Sequence, residues 1–235
     1  MTDYTISSID NHTWRIDEGG VRFFLLEGRE KALLIDSGMQ VTNAKDIAKT
    51  LTKNPIELIN THGDRDHIGS NAQFERFYMS LSEAANYYSK GGKGTIIPVS
   101  EGDIYDLGNR KLEIIGLSGH TPGSIGILDL NSRRLFSGDP IQKNGQIYMF
   151  GPMRDMHAYI ASLTRLSRRI SEISEIYPSH SIAPIEPEAI SECLKCAKRF
   201  VEDSPHGDKI KLFDNLHVIR YDMGYTSFLG ACEEQ

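Results

Sequence analysis

The feature that most constrains the fold is a set of short apolar segments that each end at a histidine or an aspartate. "IELIN" precedes the cluster "THGDRDH" (residues 61–67), and "KLEIIGLSG" precedes His120. "RRLFSGD" ends at Asp139, and "EIYPSH" ends at His180. Short apolar segments bounded by turn residues are typical of β-strands. We expect these polar residues to converge at one edge of a sheet, because sites are commonly built on loops held by a rigid scaffold.

The remaining pattern combines hairpins with strand–helix alternation. "VRFFLLEG" and "KALLIDSG" are two apolar runs joined by a short polar turn, which predicts a hairpin. Apolar residues at helical spacing predict helices in "VTNAKDIAKTLTK", "NAQFERF", "DMHAYIASLTRLSRRI" and "EPEAISECLKCAKRF". This mixture favours an α/β (α+β) fold with mixed sheets covered by helices. We see no linker and no repeat, and expect a single domain over residues 1–235.

Composition excludes some classes of partner. The 235 residues carry a net charge of −6, which disfavours nucleic acid and anionic membranes, since both require a basic surface. No segment reaches the ~18 consecutive apolar residues of a membrane helix. The N-terminus lacks the basic-then-apolar pattern of a secretory signal. We therefore expect a cytoplasmic protein with a small-molecule substrate, no nucleic-acid partner and no membrane partner, and we leave a homodimer open.

Several histidines and cysteines are assigned to packing or to the surface. Cys193 and Cys196 form a C-x-x-C within a predicted helix, and no second pair accompanies it, so helix packing is favoured over zinc or redox use. The odd total of three cysteines, with Cys232, does not resemble a disulfide framework. Four histidines in polar or unpatterned contexts are interpreted as surface or packing residues: His12, His157, His206 and His217.

The strand-end histidines and aspartates together predict a metal site. Crowded carboxylates raise one another's pKa, and a bound cation removes that repulsion. Neutral imidazole nitrogen suits zinc and iron, whereas carboxylate oxygen shifts the preference towards harder ions. The candidate ligands are His62, Asp64, Asp66, His67, His120, Asp139 and His180.

The order of these residues resembles the hallmark of the metallo-β-lactamase fold superfamily, H-x-H-x-D-H followed by a histidine, an aspartate and a histidine. The matching segments are "HGDRDH", "GLSGHTPGSIG", "LFSGDP" and "YPSHS", and the resemblance spans residues 12–205. It implies an αββα sandwich of two mixed β-sheets flanked by helices, with a dinuclear metal site on one edge.

The resemblance also implies a role for each ligand. One ion would be held by His62, the residue at position 64 and His120. The other would be held by Asp66, His67 and His180. Asp139 would bridge the two ions. It implies two divalent metal ions, with zinc as the first candidate; Asp64 makes iron or manganese an alternative.

The implied activity is that of a metal-dependent hydrolase. A dinuclear metal-bound hydroxide would attack a small-molecule ester, thioester or lactone, because two cations lower the pKa of the water between them. Asp66 is additionally expected to act in catalysis by handling the proton. A metal-binding protein without turnover is a more distant possibility.

Asp64 departs from the superfamily pattern, which has histidine there. With Asp64, each ion would have two histidines and one terminal carboxylate, a set that non-heme iron prefers. The flavodiiron proteins, in the same superfamily, likewise carry a carboxylate at this position. A non-heme diiron oxygen-binding or redox protein, similar to the metallo-β-lactamase-like domain of flavodiiron proteins, is therefore the alternative.

Residues outside the ligand set are candidates for shaping the site. Tyr148, Met149, Phe150 and Met153 are apolar or amphipathic and lie between two ligands in the sequence, so they either line a pocket or pack a loop against a helix: both interpretations stay open. Tyr225 is a weaker candidate of the same kind. Asp36 in "LIDSG" is expected to position the metal loop rather than bind the metal.

Overall fold

Residues 3–212 and 216–232 are described by a computed structural model. Within them the helices are α1 Ala44–Lys49, α2 Ala84–Ser89, α3 Met156–Ser167 and α4 Ala189–Asp203. The strands are β1 Thr5–Asp10, β2 Thr13–Glu18, β3 Val21–Glu27, β4 Ala32–Ile35, β5 Ile56–Ile59, β6 Arg76–Met79, β7 Thr95–Pro98, β8 Ile104–Asp106, β9 Lys111–Gly116, β10 Ile125–Asp129, β11 Arg134–Gly138, β12 Gln146–Tyr148, β13 Glu175–Pro178, β14 Asp208–Lys211, β15 His217–Asp222 and β16 Ser227–Ala231.

These strands form three sheets. A seven-stranded sheet has the order β1-β2-β3-β4-β5-β6-β7, antiparallel from β1 to β4 and parallel from β4 to β7. A five-stranded sheet has the order β13-β11-β10-β9-β8, in which β11 and β13 are parallel. A four-stranded sheet of order β12-β16-β15-β14 gathers the C-terminal strands and joins them to β12. The predicted mixture of parallel and antiparallel pairing is confirmed.

The core has layers on both faces of the two larger sheets, because successive strand residues point to opposite sides. On β3, Phe24 belongs to the buried cluster between the sheets, where its ring lies 4.9 Å from that of Phe136 on β11. The preceding residue on β3, Phe23, belongs to a separate cluster that includes residues of α1 and α2. A third cluster joins the outer face of the five-stranded sheet to α3 and α4. The predicted αββα sandwich is confirmed.

The helix predicted for "NAQFERF" is wrong. Residues Asn71–Gln73 form one 3-10 turn, and Arg76–Met79 form β6, which pairs in parallel with β5 and β7. Phe77 and Met79 are buried on alternate positions, with Tyr78 between them facing the other side. A seven-residue segment holds too few turns for periodicity to distinguish a short helix from a strand.

The predictions for the C-x-x-C cysteines and for the four histidines outside the candidate ligand set are confirmed. Cys193 and Cys196 are buried on α4, in the cluster beneath the five-stranded sheet. The four histidines assigned to the surface or to packing are all exposed: His12, His157, His206 and His217. Among the described residues, no helix is long and apolar enough to cross a membrane.

Candidate metal centre

The seven candidate ligands come from four loops at one edge of the sandwich. His62 follows β5, and a 3-10 turn over Arg65–His67 extends the same loop. His120 lies beyond the end of β9, Asp139 directly follows β11, and His180 lies two residues beyond β13. The structure therefore brings together all of the strand-end residues, at the place where the sequence predicted that they would converge.

The donor atoms fall into two groups: Asp66, His67, His180 and Asp139 form one, and His62, Asp64 and His120 form the other. We name the first three residues of the larger group the Asp66 set and the smaller group the Asp64 set. Asp139 is described separately, because its second oxygen faces the Asp64 set. In the Asp66 set, Asp66 Oδ2 lies 3.1 Å from His180 Nε2 and 3.5 Å from His67 Nε2. In the Asp64 set, Asp64 Oδ2 lies 3.7 Å from His62 Nε2 and 3.6 Å from His120 Nε2. Donors bonded tetrahedrally to one zinc ion lie about 3.4 Å apart. Both groups approach this spacing, and the Asp66 set is the more compact.

Asp139 lies between the two sets and offers one oxygen to each. Its Oδ1 lies 3.2 Å from His67 Nε2 and 3.3 Å from His180 Nε2. Its Oδ2 lies 3.5 Å from His120 Nε2 and 3.9 Å from His62 Nε2. This is the arrangement required of a carboxylate that bridges two cations.

Each histidine is held by one ring nitrogen and presents the other to the centre. The Nδ1 contacts are His62 with Thr61 Oγ1 at 3.0 Å, His67 with Asp36 Oδ2 at 2.8 Å, His120 with Tyr148 O at 2.8 Å and His180 with Gly20 O at 2.8 Å. Partners of this kind fix the tautomer and orientation of metal-binding imidazoles.

Three of the four opposite nitrogens lack a hydrogen-bond partner among the described residues. Nε2 of His62, His67 and His120 is buried and makes no hydrogen bond to any described residue, and the same holds for Asp139 Oδ1. Leaving buried polar atoms unpaired costs about 1–3 kcal/mol each. A cation bound between them would remove this cost, so the residues present fit a metal.

Asp36 lies beside the ligands, as the sequence predicted. Its Oδ1 accepts a hydrogen bond from Thr61 N at 2.7 Å, and its Oδ2 contacts both Thr61 Oγ1 and His67 Nδ1 at 2.8 Å. The residue has a φ of 63°, a left-handed conformation that aspartate tolerates better than most residues. Asp36 therefore connects the end of β4 to the loop that carries four of the candidate ligands.

The surroundings of Asp64 were not foreseen from the sequence. Its Oδ2 accepts a hydrogen bond from Arg154 at 2.6 Å, and its Oδ1 accepts from Lys90 Nζ at 2.8 Å and from Asn86 Nδ2 at 3.3 Å. Arg154 lies just before α3, and Lys90 directly follows α2. Both cations are distant from Asp64 along the chain, and no local pattern marks them.

Glu83 is a second contributor that sequence reasoning missed. This buried carboxylate accepts from Gly63 N through Oε2 and from Gly123 N through Oε1, each at 2.8 Å. It thus ties the loop of His62 to the loop of His120. A Cβ added at Gly123 would lie 2.9 Å from Glu83 Cγ, so the glycine of "TPGS" allows this close approach.

Electrostatics in the metal-free protein favour ionised pairs. Burial lowers the pKa of His180, but the Asp139 carboxylate and contacts with Asp66 outweigh it and raise the pKa to about 10. Burial raises the pKa of Asp66, but His67 and His180 hold it well below its usual range. Burial likewise opposes ionisation of Asp64, yet the histidines beside it and Arg154 keep its pKa far below normal. A metal must therefore displace protons from imidazoles in order to bind.

Among the candidate rim residues, Tyr148 is connected to the ligands through its backbone carbonyl, which contacts His120 Nδ1 at 2.8 Å. Burial raises the pKa of its phenol, and the charges of Asp66 and Asp139 raise it further. Its ring lies 5.2 Å from that of Phe150. Tyr225 instead donates a hydrogen bond to Glu186 at 3.1 Å. A large groove lined by residues such as His12, Arg29 and Arg110 contains none of the seven ligands.

Comparison with known proteins places these features in context. A family model described as the metallo-beta-lactamase superfamily matches residues 16–180. An acyl-coenzyme A thioesterase MBLAC2 of Gallus gallus is 25% identical over 208 residues, which cover 71% of this chain and 75% of the relative. A hydroxyacylglutathione hydrolase GloC of Haemophilus influenzae is 26% identical over 156 residues, which cover 58% and 74%.

Solved structures agree in fold. A metallo-beta-lactamase from Pontibacter korlensis superposes with a TM-score of 0.69 at 18% identity, covering 83% of this chain and 99% of that one. The FIM-1 metallo-beta-lactamase from Pseudomonas aeruginosa, in a mono-zinc form, superposes with a TM-score of 0.68 at 17% identity, covering 85% and 97%. At these identities the likeness concerns the fold alone.

Proposed function

The chain belongs to the metallo-beta-lactamase superfamily, and from this premise we propose that it is a metal-dependent hydrolase of small-molecule thioesters. The observation that carries the proposal is the convergence of six histidines and aspartates around the Asp139 carboxylate, with the Nε2 atoms of three of the histidines buried and without a hydrogen bond to any described residue. Related hydrolases, named as an acyl-coenzyme A thioesterase and a hydroxyacylglutathione hydrolase, act on thioesters. Esters and lactones are secondary candidates, since their carbonyl chemistry is the same.

The proposed cofactor is two divalent ions, zinc first, with iron or manganese as alternatives. When bound, such ions supply Lewis acidity and a nucleophilic hydroxide at neutral pH. The Asp66 set and the Asp64 set would hold one ion each, and Asp139 would bridge them. Asp66 is the proposed proton acceptor, because its carboxylate faces the centre and, among the described residues, pairs with no lysine or arginine.

Tyr148 is proposed to bind the substrate carbonyl. Its raised pKa keeps the phenol protonated at neutral pH, so it remains a hydrogen-bond donor. A donor aimed at the oxygen where negative charge develops stabilises the transition state more than the ground state. The Tyr148 backbone carbonyl also contacts His120 Nδ1, which places the phenol on the same short strand that positions a ligand.

An apolar rim is proposed to accept the acyl group. Met39, Met153 and Ile182 are each about half exposed. Met39 follows Gly38, whose carbonyl accepts from Gly69 N beside the ligand loop, and Ile182 lies two residues beyond His180. Exposed apolar side chains gathered around polar groups are typical of small-molecule sites.

The proposal is tested with a panel of acyl-coenzyme A and acyl-glutathione thioesters, p-nitrophenyl esters and lactones. Thiol release should be highest on thioesters, abolished by chelation and restored by zinc. Tyr148→Phe should lower kcat by ~100–1,000-fold with a smaller change in KM, as expected for loss of one oxyanion donor. Absence of metal-dependent turnover across the panel would refute the proposal.

The diiron alternative depends on two matching sets of two histidines and one carboxylate. The donors exist, but both Asp64 oxygens also accept hydrogen bonds from cationic side chains, so the surroundings of the two sets do not match. Elemental analysis of protein from iron- and zinc-replete cells distinguishes the two functions. Two equivalents of zinc, no iron and no spectral response to O2 would eliminate the alternative.

A further inference from the structure

The two donor sets differ in what else touches their terminal carboxylate. Asp64 Oδ2, the oxygen that faces His62 and His120, is also the oxygen that accepts from Arg154 at 2.6 Å. The second oxygen, Oδ1, accepts from Lys90 Nζ at 2.8 Å. Both oxygens of Asp64 are therefore committed to fixed cations.

Asp66 presents the opposite case. Its Oδ2 faces His180 and His67, at 3.1 and 3.5 Å. Within residues 3–212 and 216–232, no lysine or arginine forms an ion pair with it. The Asp66 carboxylate is thus available to a metal, whereas the Asp64 carboxylate must share its charge with two side chains.

We propose that Arg154 and Lys90 form a cationic clamp on Asp64 that makes the two metal positions unequal: the Asp66 set fills first and tightly, and the Asp64 set fills second and weakly. The clamp lowers the affinity of the Asp64 set in two ways. It competes for the ligating oxygen, and it places two positive charges beside the incoming cation. The inference rests on the proposed metal centre but not on the identity of the substrate.

The clamp is anchored independently of the metal. Lys90 Nζ also donates to Gly63 O at 3.1 Å, in the same loop as Asp64. On the other side, the residue after Arg154 is Asp155, whose backbone N–H donates to Gly119 O at 2.9 Å, beside His120. Lys90, at the end of α2, and Arg154, just before α3, are therefore each tied by a hydrogen bond to a loop that carries part of the Asp64 set.

The burial of Arg154 also favours its ion pair with Asp64. Its side chain is 13% exposed, and its Nε is buried without a hydrogen bond to any described residue. Separating a largely buried guanidinium from its carboxylate leaves an uncompensated charge, which is unfavourable. A second metal must therefore oppose an existing ion pair rather than occupy an open site.

The geometry of the donors supports the same order. The distances from His62 and His120 to the Asp64 and Asp139 oxygens are 3.5–3.9 Å, compared with 3.1–3.5 Å for the corresponding distances in the Asp66 set. The wider set requires more adjustment before all donors reach one ion at about 2.1 Å.

The test is stepwise binding of Zn²⁺ to the metal-free protein by calorimetry, with stoichiometry confirmed by elemental analysis. Wild type should bind one ion tightly and a second at least about tenfold more weakly, a ratio equivalent to ~1.4 kcal/mol. Arg154→Ala and Lys90→Ala should each tighten the second step by at least about threefold and leave the first unchanged. Lys90→Ala is an independent measurement if Arg154→Ala fails to fold.

Matched controls are Arg199→Ala and Lys195→Ala, on the exposed face of α4, where the side chains are 61% and 66% exposed. Both should leave the two steps as in wild type. Titration with Co²⁺ gives a readout independent of activity, since the absorption of the second ion should appear at lower concentration in the clamp variants.

Two results would overturn the proposal. One is equal affinity for both ions in wild type. The other is loss of the second ion in Arg154→Ala or Lys90→Ala, because then the cations would be orienting Asp64 as a ligand rather than competing for it. If the binding steps behave as expected but no thioester is hydrolysed, the proposed function fails while the clamp stands.

Discussion

Replacing Glu83 should weaken the fold and the Asp64 set together. This buried carboxylate accepts two backbone hydrogen bonds, from Gly63 and Gly123, each at 2.8 Å. Hydrogen bonds to a charged group contribute ~1.5–3 kcal/mol each, so Glu83→Ala should lower the free energy of unfolding by roughly 3–6 kcal/mol. For a chain of this size, 1 kcal/mol corresponds to ~2–4 °C, which predicts a fall in Tm of roughly 6–24 °C.

The assay is urea and thermal unfolding of the metal-free protein, so that bound ions do not add to stability. Glu83→Gln keeps the volume and one acceptor oxygen, and should lose about half as much. The control is Glu202→Gln on the exposed surface of α4, which should change stability by less than ~0.5 kcal/mol. A Glu83→Ala protein within 1 kcal/mol of wild type would refute the reasoning.

The same variant has a second readout. The two loops that Glu83 ties together carry the Asp64 set, whereas three of the four residues around the Asp66 position are held by other contacts. Zinc affinity at the Asp64 set should therefore fall further than at the Asp66 set. An equal loss at both positions would mean that Glu83 acts on the whole edge rather than on these two loops.

Three further variants test the positions of charge around the centre. Asp36→Asn keeps the left-handed backbone but weakens the contact with His67, and should lower zinc affinity by ~10–100-fold in calorimetry; unchanged affinity would contradict the positioning role. Asp64→His should hold or raise zinc occupancy at its own position in elemental analysis, and loss of all metal would contradict this. In the metal-free protein the pKa of His180 is raised to about 10, chiefly by Asp139 against the effect of burial. Its contribution to stability should therefore be full below pH ~6.5, its unfolded pKa, and be lost as pH rises towards 10; His180→Gln should remove that part of the pH dependence in urea unfolding, and an unchanged profile would count against it.

The metal ligands are the part of the site that the sequence pattern alone could predict. Each ligand directly follows a short apolar strand or lies near its end. The end of such a strand can be recognised from neighbouring residues, without knowledge of the tertiary structure. The order of the histidines and aspartates further restricts the arrangement, so the convergence could be predicted without coordinates. The segment "NAQFERF" marks the limit, because its strand identity is fixed by pairing with β5 and β7 rather than by its own spacing.

The sequence by itself determined the layered architecture, the edge at which the site lies and the identity of the seven converging side chains. Only the tertiary structure decided how those side chains are supported. Lys90, Arg154 and Glu83 reach the ligand loops from distant segments, and their effect depends on distances of 2.6–2.8 Å. The physical reason is that strand periodicity is encoded locally, whereas ion pairing and burial are properties of residues brought together by folding. Counted by ligand type, Asp64 gives both metal positions two histidines and one terminal carboxylate. Its ion pairs with Arg154 and Lys90 are what distinguish the two positions.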